Sequence, residues 1–124
     1  MPVHDIQQLE AMTTSTQHAQ AREPRPLLSA TQVIAGLAKL SGWKLHGDGA
    51  EVAIEKTFTF KNYLRTMAFV NAIAFIAEQQ DHHPELLVQY GSCSVRFNTH
   101  VVHGITQSDF ACAALVDALL PTPT

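Results

Sequence analysis

The sequence predicts an α+β domain, a four-stranded antiparallel sheet with helices packed on one face, in the order α-β-β-α-β-β-α. Three observations carry this expectation. In two stretches apolar and polar residues alternate, and each is broken by a glycine-containing turn signal, the pattern of hairpins. Three other stretches repeat apolar residues at helical spacing. Two of those open on a helix-start signature, a Ser or Thr followed three positions later by Gln or Asp. The 124 residues fit one domain with one core.

Residues 1–28 read as a flexible tail, and residues 29–120 as the folded domain. Arg22-Glu23-Pro24-Arg25-Pro26 resists regular structure, because proline restricts both itself and the residue before it. Ser29 and Gln32 then form a capping-box pattern, and Val33, Ile34, Leu37, Ala38 and Leu40 follow at helical spacing. Ser41-Gly42 ends this helix. Trp43 to His46 predicts a short strand, and Gly47-Asp48-Gly49 a turn. Val52, Ile54, Phe58 and Phe60 alternate with Ala53, Glu55, Thr57 and Thr59 as a half-buried strand. Lys56 interrupts the apolar row and suggests a sheet edge.

Residues 62–80 form the longest helix. Tyr63, Leu64, Met67, Val70, Ile73 and Ala74 make one stripe, while Ala68, Phe69, Ala72, Phe75 and Ile76 fill much of the remaining circumference. A helix apolar nearly all round is buried on more than one side. One side covers the sheet. In so small a domain the other meets a second subunit, so a homodimer or homotetramer is expected. Leu86, Val88 and Tyr90 then alternate, Gly91-Ser92 turns the chain, and Cys93, Val95, Phe97 and Thr99 resume the face. That turn pairs Tyr90 with Cys93 and Leu86 with Phe97, and by continuation His83 with His100, on the face opposite the core row. Thr106 and Asp109 start the last helix, and Pro121 and Pro123 end it.

Composition narrows the function. A net charge of −3 gives no basic footprint, which argues against direct binding to nucleic acid. The longest apolar-rich run, Met67 to Ala77, is far shorter than the ~20 residues that span a bilayer. No signal-peptide pattern opens the chain, so a cytoplasmic location is expected. Cys93 and Cys112 match no zinc motif and read as buried free thiols.

The histidines hold the chemistry. Four of the seven fall between Glu78 and Asp109: His82, His83, His100 and His103. His4, His18, His46 and His103 read as solvated or singly hydrogen-bonded. Three imidazoles are enough to hold zinc. Yet adjacent residues in extended chain point to opposite sides, and Pro84 keeps His83 extended, so His82 and His83 share an ion only if the chain bends between them. Nucleophilic catalysis is weaker, because neither cysteine lies on the His83/His100 face. General acid–base catalysis fits best, since imidazole titrates near neutrality.

The spacing also resembles a known family, the pterin-4a-carbinolamine dehydratases. Glu78, His82-His83-Pro84, Tyr90, His100 and Asp109 stand at the family's intervals, and Trp43, Phe58-Thr59-Phe60, Ala68-Phe69-Val70-Asn71 and Gly104 look like further family features. The resemblance covers roughly residues 29–120. It implies removal of water from a 4a-hydroxytetrahydropterin to give quinonoid dihydropterin, in support of aromatic amino-acid hydroxylation. It implies His82, His83 and His100 as the catalytic set, with His83 the principal acid/base, and no metal or separate cofactor. Asp81, Pro84, Asn98, Thr99, Glu78 and Trp43 are the implied substrate-binding residues, with Trp43 reading equally well as a core aromatic. Glu78 stands one turn before His82, where it either orients that ring or simply ends the helix. Asp109 has a sufficient explanation as a helix-start residue. Two positions depart from many members: Leu86 replaces an aromatic, and Val101 an acidic residue. The same family contains catalytically silent binding proteins, which serve as a dimerisation cofactor of a transcription factor or assist Rubisco assembly. That is the competing reading.

Overall fold

The computed structural model describes residues 26–120. The expected tail and the helix stop at Pro121 and Pro123 lie almost wholly outside them. The elements are α1 (Ala30–Ala38), β1 (Lys44–His46), a 3-10 turn (Gly49–Glu51), β2 (Ala53–Thr59), α2 (Tyr63–Gln80), β3 (Glu85–Gln89), β4 (Ser92–Phe97), a second 3-10 turn (His100–Val102) and α3 (Gln107–Asp117). Every strand pairing is antiparallel, and the sheet order is β1-β2-β4-β3. The α+β architecture is the expected one.

Strand alternation divides the sheet into two faces. Ile54, Phe58, Cys93, Val95 and Phe97 point inward and join Val33 of α1, Phe69 and Ile73 of α2, and Phe110, Ala113 and Val116 of α3 in one core. Glu55, Thr57, Ser94 and Arg96 alternate with that row and belong to the opposite face. There the Thr57 and Ser94 hydroxyls lie 2.7 Å apart, and Arg96 Nε donates to Glu55 at 2.8 Å. Among the described residues all three α-helices thus cover one face and leave the other, mostly polar, face open. Both cysteines are buried, and burial raises the pKa of the Cys93 thiol above its ordinary value.

Three details differ from the sequence expectations. The β3–β4 register is shifted by two residues: Gln89 pairs with Ser92, Val88 with Cys93 and Leu86 with Val95. The turn is therefore Tyr90-Gly91. Neighbouring elements hold it there, because Thr66 Oγ1 of α2 donates to the Tyr90 carbonyl at 2.9 Å and Phe60 N–H donates to that of Gly91 at 2.8 Å. Second, Lys56 is not at an edge, since β2 is a central strand. Its stem lies inside the sheet's helical face, with Nζ 4.9 Å from the centre of the Phe58 ring, and the ammonium reaches Asp117 Oδ1 at 2.9 Å and the Ser41 carbonyl at 3.0 Å. Third, α2 buries the stripe Thr66, Phe69, Ile73 and Ala77, and not the stripe that starts at Tyr63 and Leu64.

Both predicted capping boxes form. Ser29 accepts from Gln32 N–H at 3.2 Å while the Gln32 side chain accepts from Ser29 N–H at 2.8 Å. Thr106 and Asp109 do the same at α3. Gly36 sits inside α1, where glycine costs about 1 kcal/mol relative to alanine. The close approach of α3 explains it: a Cβ there would stand 2.6 Å from Cζ of Phe110. Overpacking of this kind costs roughly 1–3 kcal/mol, which outweighs the propensity gain. Gly36→Ala should therefore destabilise the domain by about 1 kcal/mol in urea unfolding. In a Phe110→Leu background the same change should stabilise it. A stabilising Gly36→Ala in the wild-type background would refute the packing explanation.

Candidate active site

The site begins at the end of α2. Asp81 leaves the helix in the left-handed conformation (φ 48°, ψ 46°), which aspartate tolerates better than most residues. Asp81 N–H donates to the Glu78 carbonyl at 3.4 Å, and His82 N–H to that of Ala77 at 3.1 Å. These two bonds make a Schellman cap. The cap reverses the chain and turns the His82 ring inward, where Pro84 and strand β3 follow.

His82 is buried and stacks on Phe97, with ring centres 5.9 Å apart and planes 9° from parallel. Its Nε2 lies 2.6 Å from Asp109 Oδ1. Asp109 is itself fully buried, and its other oxygen accepts from Thr99 Oγ1 at 2.7 Å and from Thr106 N–H at 2.8 Å. Proton bookkeeping then orders the cluster. Thr99 gives its hydroxyl proton to Asp109, so the 2.8 Å contact between Thr99 and Thr106 takes its proton from Thr106. Thr106 Oγ1 in turn accepts from Ser108 N–H at 3.2 Å. Asp109 is the acceptor toward His82, so Nε2 carries a proton, and the neutral ring has its lone pair at Nδ1.

His83 points the other way. Its side chain is 56% exposed, and its Nε2 lies 3.2 Å from Glu78 Oε1. Glu78 therefore partners His83, and the carboxylate that orients His82 is Asp109. His82 and His83 diverge, as extended chain before a proline requires.

His100 opens the 3-10 turn between β4 and Gly104 and is exposed. Thr99 and Gly104 bridge the base of this loop. The expected pairing of His83 with His100 does not occur. Continued by two positions, the observed register sets His83 level with Asn98. A slip of two keeps the faces, so His83 stays on the outward side with Glu85. On that face lies a cavity of about 220 Å³ lined by His100, Asn98, Arg96, Glu85 and the β1–β2 turn. Asn98 is buried, and its Nδ2 donates to the Val52 carbonyl.

Of the remaining expected residues, Trp43 sits in the core. Its indole N–H donates to Asp117 at 3.0 Å, and its ring centre is 6.1 Å from that of Phe97. Phe97 thus lies against both Trp43 and His82. Thr99 acts on Asp109, and Pro84 is half-buried at the entry to β3. Sequence reasoning missed Thr106, and it gave Asp109 only half its role. The signal was there: Asp109 stands both at the third position of a capping box and in the histidine spacing pattern.

A small α+β domain that holds one buried histidine on a carboxylate and two exposed ones near an open sheet face matches known proteins. A family model described as "Pterin 4 alpha carbinolamine dehydratase" matches residues 26–119. A protein of Paracidovorax citrulli (strain AAC00-1), named "Putative pterin-4-alpha-carbinolamine dehydratase", is 59% identical over 96 residues, which cover 77% of this chain and 83% of the relative. A crystal structure described as a transcriptional coactivator/pterin dehydratase from Brucella melitensis superposes with a TM-score of 0.72 at 29% identity, covering 77% of this chain and all of the other. A pterin dehydratase-like protein identified as a RuBisCO assembly factor in the alpha-carboxysome superposes with a TM-score of 0.56 at 25% identity, covering 66% of this chain and 93% of the other. The chain belongs to the pterin 4 alpha carbinolamine dehydratase family.

The Asp109–His82 bond should be measurable as stability. Asp109→Ala removes a buried acceptor of three donors and should cost roughly 3 kcal/mol in chemical unfolding. In a His82→Ala background the same replacement should cost less, by about 1 kcal/mol or more. Strict additivity would mean that the bond contributes nothing.

Proposed function

We propose that the chain dehydrates a 4a-hydroxytetrahydropterin to quinonoid dihydropterin, with histidines as the acid and base. The supporting observation is the division among the three rings. His82 is fixed against Asp109 and Phe97, whereas His83 and His100 are exposed on the outward side. In the reaction a proton reaches the C4a hydroxyl, which departs as water, and the N5–H proton leaves as the C4a–N5 double bond forms. His83 is the principal acid/base, because its ring is accessible and Glu78 can hold its protonated form. His100 assists from the cavity rim. Buried His82 binds and orients rather than carrying the main proton. Asp81, Asn98 and Pro84 shape the substrate's surroundings, and Thr99 acts through Asp109. Trp43 supports the site from behind Phe97. The reaction needs no metal or separate cofactor. The expected location is the cytoplasm, where reduced pterin would be recycled for aromatic hydroxylation.

His83→Ala should lower kcat for this dehydration by about 10²–10⁴-fold with the fold intact by circular dichroism. A mutant as active as the wild type would remove His83 from the chemistry. A wild type that does not accelerate the dehydration would leave the competing reading, a silent binding protein.

One observation favours a role for protein contacts as well. Leu64 and Phe75 on α2 are 79% and 74% exposed. With Ala68 and Asn71 they form a stripe away from the core. Burial of such side chains is worth roughly 1.5–3 kcal/mol each. We assign this stripe to a homodimer or homotetramer interface. Wild-type protein at micromolar concentration should sediment as an oligomer, and Phe75→Lys should shift it toward monomer. A monomeric wild type would overturn the assignment.

A further inference from the structure

We propose that the apolar groove between α1, β1 and the Gly104 loop is the docking site for residues 3–12 of this same chain, and that the docked segment braces the loop that carries His100. The proposal stands apart from the dehydratase reading.

The groove holds about 450 Å³. Its floor is the margin of the core, at Val33 and Ile105. Three large side chains stand open around it: Leu27, Ile34 and Leu45 are 56%, 69% and 53% exposed. Aspartate, glutamate, lysine and arginine are missing from its lining. Such a surface rewards apolar side chains and offers no partner to a charge. Contiguous exposed apolar surface of this kind marks a place where something packs.

The course of the chain points to the occupant. Residues 1–25 lie outside the described part and join it at the groove. Leu27 is a wall residue and is pinned there. Leu28 N–H donates to the Ile105 carbonyl at 2.9 Å, and Leu27 Cδ1 takes the space that a Cβ at Gly104 would need. The sequence before it has two parts. Val3, Ile6, Leu9 and Met12 recur at every third position, a spacing that makes successive members neighbours on a helix. In residues 13–25 the apolar residues are two alanines, Ala19 and Ala21. Those 13 residues extend to roughly 45 Å at most. Residues 3–12 can therefore return to the groove whose wall the chain has just left. A segment tied by so short a linker meets its site at an effective concentration in the millimolar range. That favours it over a second copy of the chain.

The groove shares its walls with the histidine site. Gly49 and Val52 belong to the β1–β2 turn, and His103 to the His100 loop. The same two segments line the polar cavity on their other side, through Glu51 and His100. A segment seated across Val52 and His103 ties both loops to α1.

The test uses the full chain. The native cysteines are buried, so a nitroxide attached at Ala11→Cys reports on the segment alone. It should broaden the methyl resonances of Ile34 and Leu45 and spare those of Leu87, on the opposite edge strand of the sheet. Adding Ile6→Ser and Leu9→Ser should reduce the broadening about threefold or more, and so should Ile34→Ser in the groove. In the label-free chain, Ile6→Ser with Leu9→Ser should also speed amide hydrogen exchange at Val102, His103 and Gly104 about threefold or more. Absent broadening at Ile34 and Leu45, or broadening that survives these substitutions, would overturn the docking. Unchanged exchange would overturn the bracing. When spin-labelled chain is mixed with isotope-labelled chain that carries no nitroxide, no broadening should appear. Broadening in that mixture would make a second copy the occupant and overturn the assignment to the chain's own segment.

Discussion

The buried Asp109 carboxylate is the interaction on which the rest of the site depends. A carboxylate without solvent is costly unless donors surround it. Here three donors reach it: His82 Nε2–H, the Thr99 hydroxyl and Thr106 N–H. Each comes from a different part of the chain. Thr106 starts α3, Thr99 follows β4, and His82 follows α2. One side chain therefore caps a helix, anchors the loop that carries His100, and fixes the His82 ring. None of these can shift without leaving a donor or an acceptor unpaired in the interior. Fold stability and order at the site are, at this residue, the same hydrogen bonds.

The same network explains why two adjacent histidines have unlike surroundings. The Schellman cap at Asp81 sets the direction in which the chain leaves α2, and Pro84 keeps His83 extended. Alternation then sends one ring to the core and the other to solvent. The inner ring is committed to one nitrogen–carboxylate bond and one stacked neighbour. The outer ring keeps an accessible nitrogen and an exposed carboxylate, Glu78. A proton carrier benefits from access and an orienting group from immobility, so the backbone alone distinguishes the roles we propose.

Much of this was legible in the sequence, and the misses share a cause. The strands, the long helix and both capping boxes follow from local pattern: Ser29 with Gln32, Thr106 with Asp109, and the alternation through Ile54 and Phe58. The β3–β4 register was not local. Two turns were compatible with the alternation, and contacts from Thr66 and Phe60 on other elements selected Tyr90-Gly91. Because the slip was two residues and not one, the faces survived, and His83 remained on the outward side. Lys56 reads as an edge residue until Asp117, 61 positions away, supplies its partner. Asp109 was readable as a cap, but its bond to His82 spans 27 positions and is set only by the tertiary fold. Periodicity reports which face a residue occupies. It does not report which distant group waits there.

The two-sided architecture also bears on how one fold serves both catalysts and binding proteins. The helices cover one sheet face, and His83, His100 and the polar cavity lie toward the other, while His82 is turned to the core. The exposed stripe of α2 is on the helical side, away from the core residues Phe69 and Ile73. Substitutions on that stripe need not touch Asp109 or His82, and substitutions among the outward residues need not touch the stripe. Function lies in sites placed on a fold, not in the fold itself. A relative described as a RuBisCO assembly factor and one described as a coactivator and dehydratase can therefore share this backbone. In the present chain the buried Asp109 carboxylate holds His82 and caps α3 with the same set of hydrogen bonds, so the order around His82 does not depend on what the helical stripe meets.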